Sequence, residues 1–178
     1  MLMSRKWAMP SSETFSIPPI GDFVKRYLEQ SKISVDPFAR NKRWATYTND
    51  LNPDTAAEYH LECCDFLQML VNDGVRADLV ILDPPYSPRQ TKECYDSIGI
   101  KMAQEDALGG MFRKKWRRLV NEIVTHNGVV LMFGWDTNGM GGKEWKIEEI
   151  MLVAHGSDHN DTICMAERRV AEQWKLSF

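Results

Sequence analysis

Residues 78 to 83 constrain the fold of this chain more than any other stretch. Their sequence, Asp-Leu-Val-Ile-Leu-Asp, is a continuous aliphatic run between two aspartates, and Pro84 and Pro85 follow it directly. A run without polar alternation is typical of a parallel strand that helices cover on both faces. Because proline lacks an N–H group and fixes φ, the strand must end here. The pattern therefore predicts a buried parallel strand with Asp83 at its carboxyl end.

Strand and helix patterns alternate along the rest of the chain. Apolar residues at helical spacing predict helices over residues 20–30, 65–72 and 111–126. Short apolar or β-branched runs predict strands at residues 33–38, 45–49, 59–61, 78–83, 129–133, 147–154 and 162–168. This order predicts an α/β fold with a mostly parallel seven-stranded sheet, a C-terminal antiparallel hairpin and helices on both faces. Residues 1–19, rich in serine and proline, are expected to form an irregular N-terminal arm.

Length and composition narrow the class of protein. With 178 residues, of which 43% are hydrophobic, the chain is expected to form a single domain with a sizeable core. The net charge of −3 argues against binding nucleic acid by bulk positive charge, so any such contact must be local. The four cysteines form no C-x-x-C pair, which favours reduced thiols over a zinc site. No long apolar stretch or secretory signal is present, so a soluble cytoplasmic protein without membrane contact is expected.

The segment Asp83-Pro84-Pro85-Tyr86 carries the strongest chemical signal. Open α/β folds bind ligands at the carboxyl ends of their strands, which puts this carboxylate where chemistry is expected. The two prolines offer carbonyl acceptors without competing N–H groups, and Tyr86 offers a flat aromatic face. Such a combination suits an amino group on a ring. For four residues alone, a proline turn beside a half-buried tyrosine is the competing interpretation.

These residues also resemble a known family. Residues 83–86 are similar to the D-P-P-Y motif of the amino-methylating DNA methyltransferases, especially the adenine-N6 type. Val-Asp-Pro-Phe-Ala at 35–39 resembles the D-P-F-x-G-x-G cofactor motif, and residues 48–53 and 62–66 resemble the acidic segments that follow the next two strands. The continuation Ser-Pro-Arg-Gln after Tyr86, and His-Gly-Ser-Asp-His-Asn-Asp-Thr at 155–162, are similar to compact phage and prophage DNA methylases.

The resemblance, which runs from residue 33 to residue 168, implies a Rossmann-like methyltransferase fold. It implies methyl transfer from S-adenosyl-L-methionine to the N6 amino group of adenine in DNA, with the base flipped out or single-stranded. The catalytic residues that it implies are Asp83, Pro84, Pro85 and Tyr86. The cofactor-binding residues are Asp36, Pro37, Phe38, Asp50, Glu62, Asp65 and Asp83. The substrate-binding residues are Tyr86, Ser87, Arg89, His155, His159, Asn160, Asp161, Arg40 and Lys42.

Arg40 and Asn41 depart from the family pattern, because they stand where the G-x-G part of the motif is expected. Glycine lets the backbone approach a cofactor closely. The departure motivates an alternative function, a non-catalytic methyltransferase-like binding protein or regulator. Within the enzyme class, N4-cytosine and RNA adenine methylation stay open. Almost no chain is left for a separate target-recognition domain, so short or relaxed sequence specificity is expected, and self-association into a homo-oligomer is a further option.

Two polar segments each allow more than one interpretation. His155, His159 and Asp161 are suitable metal ligands, yet the glycine and serine between them favour a loop, so base contact or ordinary loop polarity is preferred and no metal is expected. The run 113–118 has five cations around Trp116. Helical spacing favours a solvated surface for this run. Its alternative is a phosphate-binding surface, to which Arg40, Lys42, Arg43 and Arg89 would contribute.

Overall fold

The computed structural model describes residues 1–101 and 109–170, and of residues 109–113 it describes the backbone alone. The helices in this part of the chain are α1 (Pro18–Leu28), α2 (Cys63–Asn72), α3 (Pro88–Ser97) and α4 (Gly109–Ile123), and a 3-10 turn spans Thr14–Ser16. The strands are β1 (Leu2–Trp7), β2 (Ser34–Asp36), β3 (Tyr47–Thr48), β4 (Ala77–Leu82), β5 (Val124–Gly134), β6 (Trp145–Ala154) and β7 (Thr162–Arg169).

The strands form one seven-stranded sheet in the order β1-β6-β7-β5-β4-β2-β3. Neighbours among β2, β3, β4 and β5 are parallel, β7 is antiparallel to both β5 and β6, and β1 is parallel to β6. The predicted α/β fold, with a mostly parallel sheet and a C-terminal antiparallel hairpin, is confirmed. The carboxyl ends of β2 to β5 meet at one edge, which gathers the residues that follow these strands.

The continuous aliphatic run of β4 is explained by helices on both faces of the sheet. Val80 and Leu82 pack in a core with α2 and α4, whereas Leu79 and Ile81 pack in a second core with α1. All four side chains are at most 1% exposed. Since successive side chains of a strand point to opposite faces, the run is buried throughout only because both faces are covered.

The amino-terminal segment differs from the predicted irregular arm. Residues 2–7 form β1, which pairs with β6 at the edge of the sheet. The free edge of β6 supplies backbone partners that the local composition does not reveal, so tertiary pairing overrides the serine and proline signal. Residues 59–61, a predicted strand, make a single bridge from Tyr59 to Asn49. The predicted count of seven strands is therefore reached with β1 in place of this segment.

Two helices differ in extent from the prediction. Residues 88–97, for which no helix was predicted, form α3, whose N-cap is Ser87. The Ser87 hydroxyl accepts the backbone N–H of Gln90 at 3.2 Å, and Pro88 occupies the first turn. Helix α4 ends at Ile123, earlier than predicted, because the chain joins β5 at Val124 and pairs there with β4. Helix α3 therefore begins directly after the Asp83 segment.

A buried acid fixes α1 on the sheet. Glu149 of β6, which is 7% exposed, accepts two hydrogen bonds from Arg26 at 3.0 Å each and one from the Tyr27 hydroxyl at 3.1 Å. Its carboxylate raises the pKa of Arg26, chiefly through these hydrogen bonds. Charge-assisted bidentate contacts of this kind set orientation as well as distance. They orient α1, and with it the segment that leads into α1.

Gly139, in the loop after β5, lies too close to a buried acid to accept a side chain. Gly139 has φ of +40°, and a Cβ at this position would lie 2.4 Å from Oε2 of the buried Glu167. Gly141 has φ of +71° with no atom within 4 Å of such a Cβ, so it is a matched control. We expect Gly139→Ala to lower the free energy of unfolding by about 3 kcal/mol and Gly141→Ala by about 1 kcal/mol, because the control incurs only left-handed backbone strain. Urea denaturation measures both variants, and equal losses would contradict the close approach.

Candidate active site

A pocket of about 640 Å³ lies at the carboxyl edge of the sheet. Its walls come from the segments that follow β2, β3 and β4, and from α3. The predicted site residues that line it are Pro37, Phe38, Arg40, Asp50, Glu62, Asp83, Pro84, Pro85, Tyr86 and Ser87. A pocket of this size accommodates a cofactor-sized molecule.

Asp83 and Tyr86 form a hydrogen-bonded pair directly after β4. The Tyr86 hydroxyl donates to Asp83 Oδ1 at 2.5 Å, and the Tyr86 backbone N–H donates to Gln90 Oε1 at 2.8 Å. The Tyr86 ring packs edge-on against Trp135, with ring centroids 5.6 Å apart. Burial raises the pKa of Asp83 above its ordinary value, although the Tyr86 hydrogen bond opposes this shift. A carboxylate in this environment favours hydrogen-bond donors that stabilise its charge.

Two further aspartates shape the loops beside this pair. Asp36, which is 1% exposed, accepts the backbone N–H of Phe38 through Oδ1 at 3.0 Å. Asp50 accepts the backbone N–H groups of Arg40 at 3.1 Å and Asn52 at 2.9 Å. Burial raises the pKa of both acids, and repulsion from Asp83 and Asp50 adds to the shift at Asp36. Asp50 lines the pocket, whereas Asp36, which was also predicted to bind the cofactor, is buried and is not among the lining residues.

Arg40 adopts a backbone conformation that glycine accepts without strain. Its φ is +49°, in the left-handed region, which costs a residue with a side chain about 1 kcal/mol. The guanidinium group donates to the Ser12 carbonyl and lies 3.2 Å from Glu13 Oε1. The loop after β2 thus keeps a left-handed turn without glycine, and the side chain of Arg40 contacts the protein itself.

The sequence predicted two cofactor-binding acids at the start of α2, Glu62 and Asp65, and the structure brings one of them into the pocket. Glu62 caps α2 by accepting the Cys64 backbone N–H at 2.8 Å, and its other carboxylate oxygen accepts the Tyr95 hydroxyl at 3.2 Å. Asp65 is exposed on α2 and is not among the residues that line the pocket. Glu62 is therefore the acid that is placed to contact a bound molecule.

Several predicted substrate-binding residues lie outside the pocket lining. Arg89 is exposed and pairs with Glu93 at 2.7 Å, and Lys42 Nζ lies 5.6 Å from the centroid of the Trp44 ring. His155 is buried between β1 and β7, where its ring nitrogens lie 2.9 Å from the Ala8 carbonyl oxygen and 2.9 Å from the Thr162 hydroxyl. The loop between β6 and β7 lies at the same edge of the sheet as the pocket. Its predicted substrate-binding residues, His159, Asn160 and Asp161, are exposed.

Other residues line the pocket that the sequence did not indicate. Thr14 reaches it from the amino-terminal segment and lines it together with Asp83 and Tyr86, where its hydroxyl opposes the rise in the pKa of both groups. No local pattern marks Thr14, because its neighbours in space are distant in sequence. Trp116 of α4, which is 2% exposed, also lines the pocket, although its sequence surroundings marked it only as part of the basic run. Its apolar character among cations was the available signal, since one face of an amphipathic helix is buried.

The basic run is dispersed around α4. Among residues 114–118, Lys114 and Lys115 are exposed, Arg117 donates to the Asn138 carbonyl at 3.0 Å, and Arg118 pairs with Glu122 at 3.0 Å. These cations have separate surroundings, and two of them contact groups of the protein. This arrangement is the one expected for a solvated helix surface.

Some features are absent from the described part of the chain. Residues 1–101 and 109–170 contain no group of three histidine, cysteine, aspartate or glutamate side chains that is arranged to hold a metal ion. Within the same residues, no helix combines the length and the apolar character needed to cross a lipid bilayer. The four cysteines are free thiols, and only Cys94 among them is exposed.

Comparison with known proteins finds similarity in structure. No family model matches the sequence, and no curated protein matches it either. SMU.776, a candidate methyltransferase complexed with SAH, has a TM-score of 0.56 and 13% identity over 82% of this chain and 48% of that chain. TrmN from Thermus thermophilus has a TM-score of 0.56 and 10% identity over 86% of this chain and 49% of that chain.

A third similar structure is NSun6 from Pyrococcus horikoshii with SFG, which has a TM-score of 0.53 and 11% identity over 92% of this chain and 53% of that chain. This chain thus spans about half the length of each of these three proteins. At such low identity the likeness establishes the fold, which is the Rossmann-like fold of methyltransferases, as the sequence predicted.

Asp83→Asn is expected to stabilise the protein at neutral pH. Because the pKa of Asp83 is raised, the folded state binds its proton more tightly than the unfolded chain does. The stability of the wild-type protein therefore falls as pH rises from the ordinary aspartate range through the folded-state pKa. The neutral amide avoids this loss and still accepts the Tyr86 hydroxyl. The free energy of unfolding of the variant should exceed that of wild type near pH 7.5, and the two should converge towards about pH 4.

Asp78→Asn at the other end of β4 is the matched control. Asp78 Oδ2 accepts the backbone N–H groups of Lys32 at 3.1 Å and Ile33 at 3.2 Å. Asparagine keeps an acceptor oxygen but removes the charge, so these bonds weaken and the free energy of unfolding should fall by about 1 kcal/mol. Urea denaturation at both pH values measures the two variants. An equal loss of stability in Asp83→Asn would contradict the raised pKa of Asp83.

Proposed function

We propose that this chain is an S-adenosyl-L-methionine-dependent methyltransferase that modifies the N6 amino group of adenine in DNA. The observation that carries the proposal is the placement of Asp83, Pro84 and Tyr86 together in the pocket at the end of β4. A carboxylate, a proline carbonyl and an aromatic ring are the groups needed to hold an aromatic amine. The fold supports the proposal, because similar chains were solved with SAH and with SFG.

The cofactor is assigned to the part of the pocket formed by the loops after β2 and β3. Asp50 would accept ribose hydroxyls: each of its oxygens accepts one backbone N–H and so keeps a free lone pair. Glu62 would lie near the adenine or ribose, and Pro37 and Phe38 near the methionine half. The buried Asp36 supports this loop from below through its bond to Phe38. The negative charge of the site favours a positively charged sulfonium over a neutral thioether.

The chemistry assigned to the residues follows from their groups. When bound, S-adenosyl-L-methionine supplies an electrophilic methyl group, and sulfur keeps the electron pair of the broken C–S bond as the new N–C bond forms. Asp83 and the Pro84 carbonyl accept the two amino hydrogens, which directs the nitrogen lone pair towards the methyl group. Asp83 stabilises the positive charge that develops on nitrogen and accepts the proton that leaves it. Tyr86 stacks on the base.

The target base must reach the pocket from outside the double helix, either flipped out or from a single strand. Ser87, which lines the pocket, is proposed to contact the substrate. The other proposed contacts are the residues that lie beyond the lining and are exposed or half-buried, namely Lys42, Arg89, His159, Asn160 and Asp161. Short or relaxed sequence specificity is part of the proposal.

Arg40 bears on the alternative of a non-catalytic binding protein. The missing glycines motivated that alternative, yet Arg40 takes the left-handed φ that glycine would provide. The loop after β2 therefore offers a turn for a cofactor despite the departure in sequence. This observation favours the enzyme.

Methyl transfer is tested with labelled S-adenosyl-L-methionine and DNA, followed by nucleoside mass spectrometry. We expect N6-methyladenine, and parallel reactions with RNA and with cytosine-rich DNA separate the other substrates. Asp83→Asn should lower kcat by about 100-fold or more, since it removes the charge that stabilises the developing cation. Asp78→Asn, which alters the opposite end of the same strand, should keep its activity. Failure of the wild-type protein to transfer methyl groups to any of these substrates would overturn the proposal.

Two substitutions at Tyr86 separate stacking from hydrogen bonding. Tyr86→Phe keeps the ring and loses the bond to Asp83, so we expect kcat to fall with little change in KM for DNA. Tyr86→Ala loses the ring as well, and KM should rise by about tenfold or more, because stacking of a base on an aromatic side chain contributes about 1–3 kcal/mol. Steady-state kinetics at varied DNA concentration measures both effects. Equal KM values for the two variants would contradict a stacking role.

A further inference from the structure

The segment of residues 11–16 contributes Thr14 to the wall of the pocket that also contains Asp83. Thr14 lines the pocket together with Asp83 and Tyr86, and its hydroxyl opposes the rise in the pKa of both groups. Phe15, the next residue, is 8% exposed and packs edge-on against Phe133 of β5, with ring centroids 5.2 Å apart. The position of Thr14 is therefore set by a neighbour that is anchored in the core.

Helix α1 holds the same segment by close backbone contact. A Cβ on Gly21 would lie 2.7 Å from the Phe15 carbonyl oxygen, so the two backbones touch at this point. Helix α1 is itself fixed on β6 by the bonds of Arg26 and Tyr27 to Glu149. The end of the segment that follows Thr14 is thus immobilised by the fold.

Arg40 holds the end that precedes Thr14. Its guanidinium donates to the Ser12 carbonyl and pairs with Glu13 at 3.2 Å, while its backbone N–H donates to Asp50 Oδ2 at 3.1 Å. One residue thereby joins the loop after β2, the end of β3 and the amino-terminal segment. A glycine would take the same φ without strain but would make none of the side-chain contacts.

We propose that Arg40 and Thr14 are positioning residues: Arg40 clamps residues 12 and 13 against the loop after β2, and Thr14 thereby fixes the orientation of the Asp83 carboxylate. The inference rests on the proposed methyl transfer and adds two residues to its machinery. Tyr86 holds the carboxylate through its hydrogen bond to Oδ1, and on this proposal the Thr14 hydroxyl steadies it from the amino-terminal segment, so that its other lone pairs face the substrate amine. Fixed geometry of this kind speeds a reaction because little reorientation is needed at the moment of transfer.

Thr14→Val and Thr14→Ser test the hydroxyl. Valine has nearly the same shape but no donor, so kcat should fall by about tenfold, whereas serine should restore most of it. The pH profile adds a readout that a merely structural role would not move. Because the Thr14 hydroxyl lowers the pKa of Asp83, its loss should shift the acid limb of kcat to higher pH in Thr14→Val but not in Thr14→Ser.

Arg40→Gly tests the clamp. Glycine relieves the strain at φ of +49° while removing the contacts to Ser12 and Glu13, so the free energy of unfolding should change little. We expect kcat to fall by the same factor as in Thr14→Val, together with faster amide hydrogen exchange across residues 11–16. The double variant should be no slower than either single variant, because both act through one contact.

The possible outcomes separate this inference from the proposed function. Suppose that the wild-type protein methylates DNA, and that Thr14→Val and Thr14→Ser have the same kcat and the same pH for the acid limb of the kcat profile. The inference is then overturned and the proposed function stands. Multiplied losses in the double variant would also overturn it, because the two residues would then act separately. If wild type methylates neither DNA nor RNA, both are overturned.

Discussion

Helices enclose β4 on both faces, and this enclosure determines where polar chemistry is possible. Leu79 and Ile81 are sealed beneath α1, and Val80 and Leu82 are sealed beneath α2 and α4. A charged group cannot be placed along such a strand without a large desolvation cost. The first carboxylate after it, Asp83, therefore lies where the strand reaches the edge of the sheet, and Pro84 and Pro85 turn the chain there. The pocket, its walls and its acids follow from this one constraint.

The acids at that edge oppose the stability of the fold. Burial raises the pKa of Asp36, Asp50 and Asp83, which means that each charged form is disfavoured in the folded protein. Backbone N–H groups at Asp36 and Asp50, and the Tyr86 hydroxyl at Asp83, offset part of this cost. Several carboxylates with a perturbed pKa at one place commonly mark a functional site. The same carboxylates would favour a bound cation.

Much of the fold was predictable because periodicity and burial are local. The aliphatic run of β4, the helical spacing of α1 and α2, and the final hairpin all have patterns within a few residues, and the structure has each of them. β1 was missed because its partner is β6, at the far end of the chain. Helix α3 was missed because its residues are polar, and the cap formed by Ser87 and Pro88 was the available signal.

The candidate site, like the fold, was predictable where it depends on local sequence pattern. Acids that follow strands were found, because the carboxyl ends of parallel strands meet at one edge. Thr14 was not found, since only the folded chain brings it into the wall of the same pocket as Asp83. His155 shows the opposite limit: a histidine in a polar loop suggested a ligand contact, yet both ring nitrogens lie against the Ala8 carbonyl and the Thr162 hydroxyl. Sequence pattern gives residue type and order, whereas partners depend on tertiary contacts.

The most direct measurement of the central claim is nucleoside mass spectrometry of DNA from cells that express the wild-type chain, compared with cells that express Asp83→Asn at the same level. The account predicts N6-methyladenine above the background of cells without the chain for wild type, and only background for the variant. Equal N6-methyladenine in both cultures, above that background, would contradict the role assigned to the Asp83 carboxylate, and no modified base in either would contradict methylation of DNA.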